Sequence, residues 1–347
     1  MQSTATVPTH MQPAVPPPPE ADGRVLRAAA RYTIWLALIE IVALFGAFWA
    51  ATRPWFMNLE SLSTLRMMGY GVRESGKNCD VVLYGDSTAL AGLDPGVIQS
   101  ETGMTACNIA EPRPVLEVVG INLPLDQYLA HNRPPKFLVT AWAPGDFDLE
   151  HPRMNSYFVD GFLYEFQYNR GPWLWRTLIR HPRDTIAFLL WVQGSIIKDL
   201  GDKLGLDRAD KVDDRVLRDS HGGQWRLREP PQRACWEFPP FPWIAPAQMR
   251  ASVAKFREQY ATRTEHLLVD ITPVADCFVE GRRRIATVKG LYDNTAQMWP
   301  VTDFSTLNIH LTPQAARMFS GEVAGQIKGI QEQDREDSSS EHAVASR

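Results

Sequence analysis

From residue 80 onward, short apolar runs alternate with stretches of helical periodicity. DVVLYG (80–85) is a continuous apolar run closed by glycine, the pattern of a strand buried on both faces. Asp94-Pro95 then supplies a cap and a first-turn proline for a helix. A second short run spans Thr105 to Ile109, an amphipathic stretch Val115 to Ala130, and a third run, KFLVTAW, Lys136 to Trp142. Further on, Pro246 to Arg263 carries helical periodicity, HLLVDIT (266–272) reads as another strand, and a last helix is expected from Pro313 to about Gln326. Strand and helix in alternation predict an α/β fold: a parallel sheet with helices on both faces.

Upstream, IWLALIEIVALFGAFWAA (34–51) is apolar all round apart from Glu40. At 1.5 Å per residue it nearly spans the roughly 30 Å of a bilayer's hydrocarbon, with Tyr32 and Trp35 at one end and Trp49 and Trp55 at the other. A buried soluble helix should show a polar stripe, and Glu40 alone is not one. Residues 34–52 are therefore expected to be a single transmembrane helix. Arg24, Arg27 and Arg31 before it outnumber Arg53 and Arg66 after it, which points to a cytoplasmic N-terminus and an extracytoplasmic globular part at the inner membrane. Residues 1–33, with the run Pro16 to Pro19, and residues 331–347 are too polar or proline-rich to bury a core and read as disordered tails.

Residues 148–245 break the alternation inside the 53–330 domain. They hold Trp173, Trp175, Trp191, Trp225, Trp236 and Trp243, and two helices are expected to meet near His181-Pro182. An insertion of this length is a cover over a site, a patch that touches membrane or glycan, or a helical hairpin packed on the sheet.

Charge narrows the partners. Lys and Arg total 36 against 40 Asp and Glu, and phosphate binding needs a basic face, so nucleic acid is not the expected partner. Cys79, Cys107, Cys235 and Cys277 form no CxxC pair, leaving zinc and thioredoxin-type motifs without support. No metal site and no cofactor is expected. An even cysteine count permits disulfides if the chain is exported, but spacing assigns none, and buried free thiols are the expectation.

In open parallel sheets, sites lie beyond the carboxyl ends of the strands. The first such end reads Gly85-Asp86-Ser87-Thr88, where a serine can project its hydroxyl into the crevice. That hydroxyl needs a base. Of the eight histidines, His10 and His342 lie in the tails, and His131 and His266 fall at the wrong edge of the sheet. His310 stands before the final helix in DFSTLNIHLTPQAA, where it can face Ser87 across one crevice. The bland alternatives are a turn serine and a histidine at a helix start.

YGDSTALAGLDP, the Asn-led loop at Asn108, the third strand ending in APGDF and the His-Leu-Thr-Pro segment together resemble the SGNH/GDSL hydrolase superfamily, in particular its membrane-anchored, extracytoplasmic branch acting on glycan O-acyl groups. The resemblance covers roughly residues 79–146 and 303–326. It implies a three-layer α/β/α, flavodoxin-like fold, with Ser87 as nucleophile and partial oxyanion donor, Asp86 bracing its turn, and His310 as general base and then acid. Oxyanion support would come from Asn108 and Ala110 and from the block at Gly145 and Asp146, where the family usually presents Asn. The family's Asp three residues before the His is replaced by Leu307, so Asp303, Asn308 or a backbone carbonyl is left to orient His310. The implied activity is a serine esterase or O-acyltransferase on acylated envelope carbohydrate, with that carbohydrate or an acyl-donor protein as partner. The alternative is a catalytically degraded scaffold that binds glycan or an envelope-assembly partner.

Overall fold

In the computed structural model the described residues are 23–59, 74–111, 123–144, 162–163, 166–167, 172–205, 230–236, 246–287, 289–295 and 297–345. Helix α1 (Gly23–Ala51) is followed by a 3₁₀ turn, Pro54–Asn58. Then come β1 (Val81–Gly85), α2 (Ser87–Gly92), α3 (Pro95–Thr102), β2 (Ala106–Asn108), α4 (Leu123–His131) and β3 (Phe137–Trp142). Helices α5 (Pro172–Arg180), α6 (Pro182–Lys203) and α7 (Pro246–Tyr260) precede β4 (His266–Ile271), β5 (Val274–Ala275), α8 (Val279–Thr287) and β6 (Met298–Trp299). The chain closes with β7 (Phe304–Thr306), β8 (His310–Leu311) and α9 (Pro313–Ala345).

The α/β expectation holds: β1 to β4 form one parallel sheet in the order β2-β1-β3-β4. Pleating sends alternate residues to opposite faces. Val81, Leu83, Phe137 and Val139 pack with Ile98 of α3 and Phe319, Val323 and Ile327 of α9. Val82, Tyr84, Leu138 and Trp142 pack with Tyr128 of α4 and Met249, Val253 and Phe256 of α7. The continuous apolar runs are thus explained, since β1 and β3 are buried throughout. The outer edge of β4 is closed by a loop that imitates a strand: Asp293 accepts from the Val269 N–H, and the Asn294 side chain pairs with both backbone groups of Ile271.

The chain leaves β1 toward β2 on one side and returns to β3 on the other, so the strand order reverses at β1. That reversal opens a crevice at the carboxyl ends, where Gly85 to Ser87 stand.

Three local expectations change. All four cysteines are paired, Cys79–Cys107 and Cys235–Cys277, each with 5.9 Å between Cα atoms, rather than buried as free thiols. Pairing of residues 28 and 42 positions apart depends on which strands and loops become neighbours, which spacing does not carry. The polar C-terminal stretch continues α9 to Ala345 instead of forming a tail. Lys328 pairs with Glu101 and Asp334 with His266, tying the helix beyond Gln326 to the α/β core. Helix α1 likewise begins at Gly23, eleven residues before the apolar stretch. Within it, Arg24–Ala51 is long and apolar enough to cross a membrane. The chain divides into two compact units, Met1–Gly46 and Ala47–Arg347.

Candidate active site

The nucleophile turn is built mainly from residues close in sequence. Gly85 ends β1 at φ +146°, and a Cβ built there would overlap the Ala141 carbonyl of β3, so only glycine lets the turn press against its neighbouring strand. Asp86 then caps α2. Its Oδ1 accepts from the Thr88 N–H at 2.8 Å and the Thr88 hydroxyl at 2.5 Å. Its Oδ2 accepts from the Ala143 N–H at 2.9 Å, joining the ends of β1 and β3. Asp86 thus accepts three hydrogen bonds, two within the turn and one from β3's end. Burial raises its pKa, while these hydrogen bonds act in the opposite direction. Thr272, at the end of β4, adds a hydroxyl 3.0 Å from that of Thr88.

Asn108 supports the turn from β2. Its Nδ2 donates to the Ala89 and Leu93 carbonyls at 3.1 and 2.8 Å, and its Oδ1 accepts from the Ala110 N–H at 2.9 Å. The two groups expected to face an oxyanion are thus engaged with the backbone of α2 and with each other. What remains from the expected set is the Ser87 N–H, in the first turn of α2 where amides have no acceptor within the helix. Gly145 and Asp146 lie outside the described residues.

The histidine arrives on a tight antiparallel ribbon. Leu307 and Asn308 take φ of +59° and +58°, reversing β7 into β8 so that Thr306 stands opposite His310. His310 Nε2 lies 2.9 Å from Ser87 Oγ, and its Nδ1 lies 2.9 Å from Thr306 Oγ1. The predicted pair is brought together across 223 positions of sequence. The Nδ1 partner, however, is Thr306 rather than Asp303 or Asn308. Asp303 engages through its backbone, its carbonyl accepting from the Thr312 N–H at 2.7 Å. The other two weighed histidines sit elsewhere: His131 bonds the Gln127 carbonyl and His266 meets Asp334.

Asn308 holds the ribbon from behind. Its Oδ1 accepts from the Trp236 N–H at 2.9 Å, its Nδ2 donates to the Trp236 carbonyl at 3.0 Å, and its own N–H donates to Gln232 Oε1 at 3.0 Å. The Gln232 N–H donates to the Phe304 carbonyl at 2.7 Å, and Cys235 is bonded to Cys277. Left-handed backbone at a leucine is costly, and this segment from the end of the insertion holds it in place. Sequence reasoning missed Thr306, Thr88, Thr272, Gln232 and Trp236. A hydroxyl four residues before the histidine was the one local signal available.

Burial lowers the His310 pKa to about 4, so the ring is neutral at physiological pH. A neutral imidazole with its proton on Nδ1 presents an Nε2 lone pair to the serine hydroxyl. In that tautomer the Thr306 hydroxyl accepts the Nδ1–H without contributing charge. Among the described residues, no group of three or more His, Cys, Asp or Glu side chains is placed to hold a metal ion. No family model matches the chain, and no curated protein or solved structure matches it.

Proposed function

We propose that the chain is a membrane-anchored serine esterase or O-acyltransferase of SGNH type, working on acylated envelope carbohydrate. The observation that carries this reading is the 2.9 Å contact between Ser87 Oγ and a buried, neutral His310 at the carboxyl end of a parallel sheet. His310 takes the Ser87 proton as Oγ attacks an ester carbonyl. The oxyanion forms beside the Ser87 N–H. Collapse breaks the ester C–O bond, the proton on Nε2 passes to the leaving alcohol, and an acyl-serine remains. Water or a sugar hydroxyl then gives its proton to His310 and attacks that acyl group; the acyl–Oγ bond breaks, Ser87 takes the proton back from Nε2, and the free acid or the transferred ester leaves.

The three-layer α/β/α reading and the carbohydrate substrate rest on the sequence blocks that resemble the family. The anchor reading rests on α1 and on the arginines in it that precede its apolar stretch, and both disulfides suit an oxidising, extracytoplasmic compartment. The engagement of Asn108 and Ala110 favours a second reading, a binding scaffold with a weakened oxyanion hole. One experiment separates the two. A fluorophosphonate probe should label the full chain at Ser87 and leave Ser87→Ala unlabelled. Equal labelling of both, or of neither, overturns the enzyme reading.

A further inference from the structure

Helix α6 buries one side and carries large apolar residues on the side facing away from it. Phe188, Val192, Ser195 and Asp199 face inward and are buried. Ile186, Leu190, Ile197, Leu200 and the following Leu204 all lie outward, Ile197 and Leu204 being 70% and 67% exposed. At about 100° per residue these five fall within an arc of roughly 80°, which they share with one polar residue, the half-buried Gln193. A helix on a water-facing surface places polar residues there instead. The acids Asp184, Asp199 and Asp202 all project away from this stripe, while Arg183 stands at its edge. The preceding helix repeats the design: Trp175 and Ile179, one turn apart and 59% and 77% exposed, adjoin Arg176 and Arg180. Apolar residues bordered by cations are the composition of a helix lying in a membrane interface.

Contacts within the second unit say where this hairpin sits. The last turn of α1, Ala47–Ala51, belongs to that unit. Phe48 packs edge-on against Phe166 at 5.1 Å and stacks with Trp175 at 6.4 Å. Gln167 donates to the carbonyls of Ala51 and Arg53, and Phe56 meets Trp191 of α6 at 6.3 Å. Just here Trp49 and Trp55 lie 6.3 Å apart with Arg53 over the Trp49 ring, a grouping suited to the headgroup level. The hairpin is therefore attached to the residues at which a membrane-spanning α1 would leave the bilayer.

We propose that the outward apolar faces of α5 and α6 lie in the interface of the bilayer that α1 enters, giving the Ala47–Arg347 unit a second hold on the membrane beside its tether. The inference rests on the reading that α1 crosses a bilayer. The full chain, reconstituted in vesicles of phosphatidylethanolamine and phosphatidylglycerol, tests it through nitroxide labels at Ile197→Cys and, as a water-facing control on α7, Glu258→Cys. Collisions with dissolved oxygen should exceed those with a water-soluble nickel chelate at Ile197→Cys, and the order should reverse at Glu258→Cys. Nickel dominating at both sites overturns the proposal. Exclusion of both reagents from Ile197→Cys marks a protein partner, a second copy included, and overturns it as well. Alkaline washing of the same vesicles separates the two failures. A chain that stays with the membrane while Ile197→Cys is aqueous sinks the interfacial hairpin alone, whereas a chain that washes off sinks the anchor too.

Discussion

Ser87 and His310 meet at hydrogen-bonding distance, yet the two sides of the pair are held in different ways. The serine turn rests on side chains close to it in sequence or on adjoining strands: Asp86, Thr88 and Asn108, with the Ala143 amide from the end of β3. It is an extension of the sheet. The histidine ribbon is short, contains two left-handed residues, and is held by Gln232, Trp236 and the Ala275 N–H, elements that the insertion and β5 bring from far away. The nucleophile is thus part of the sheet, while the base depends on a segment distant in sequence and fastened by the Cys235–Cys277 bond. The comparison teaches that damage to the serine side should cost stability and activity together, and that damage to the histidine side should cost mostly activity.

The largest expected effect is on the serine side. Asp86→Ala strands three buried donors and should lower unfolding stability by about 3 to 5 kcal/mol, with probe labelling lost, as read by urea denaturation and labelling of the same sample. Unchanged stability would show that the turn does not depend on its carboxylate.

Next comes pH. His310 has a folded pKa of about 4 against an ordinary 6.5, so between these values the unfolded chain binds a proton that the folded one rejects. Its contribution is complete above pH 6.5 and falls as pH drops toward 4, by about 3 kcal/mol in all. His310→Gln should flatten the stability profile across that window. In the intact chain, the acidic limb of kcat/KM should lie near the same low pKa, not at 6.5.

On the histidine side, Asn308→Gly keeps the positive φ and the backbone bond to Gln232 but removes the side-chain bonds to Trp236 and the 3.3 Å bond that Gln232 Nε2 donates to Asn308 Oδ1. Stability should drop by about 1 to 2 kcal/mol while the probe reaction slows at least about a hundredfold, equivalent to about 2.7 kcal/mol, an imbalance toward activity that Asp86→Ala does not show. The smallest structural effect belongs to Thr306. Thr306→Val should change stability by less than about 1 kcal/mol yet slow acylation, because the Nδ1 proton loses its acceptor. Thr306→Asp should raise the His310 pKa, moving the acidic limb of the rate profile upward. A limb that stays in place would show that Thr306 does not act through the ring.

The strands were legible because burial on both faces leaves an unbroken apolar run, and Ser87 was legible because a glycine-led turn after such a run has few other uses. His310 emerged by elimination among the histidines and by the Thr312-Pro313 helix start behind it. Thr306 was not legible: its role depends on a reversal at Leu307 and Asn308, and although asparagine adopts left-handed backbone readily, leucine does not, so the pair carries no turn signal. The roles expected of Asn108 and Ala110 also shifted, since an amide side chain close to the carbonyls of Ala89 in α2 and Leu93 just after it bonds to them first.

Taken alone, the chain determined what local pattern controls: which segments form the four strands of the main sheet, where the apolar helix lies, and which hydroxyl follows β1; the short strands β5 to β8 were not expected. Tertiary structure decided what depends on long-range neighbours: the pairing of four cysteines, the partner of His310 Nδ1, and the fastening of the ribbon by residues 232–236. The physical reason is range. Burial and backbone propensity act over a few residues and leave a periodic trace, whereas a hydrogen bond between positions 76 apart leaves none until the sheet has brought them together.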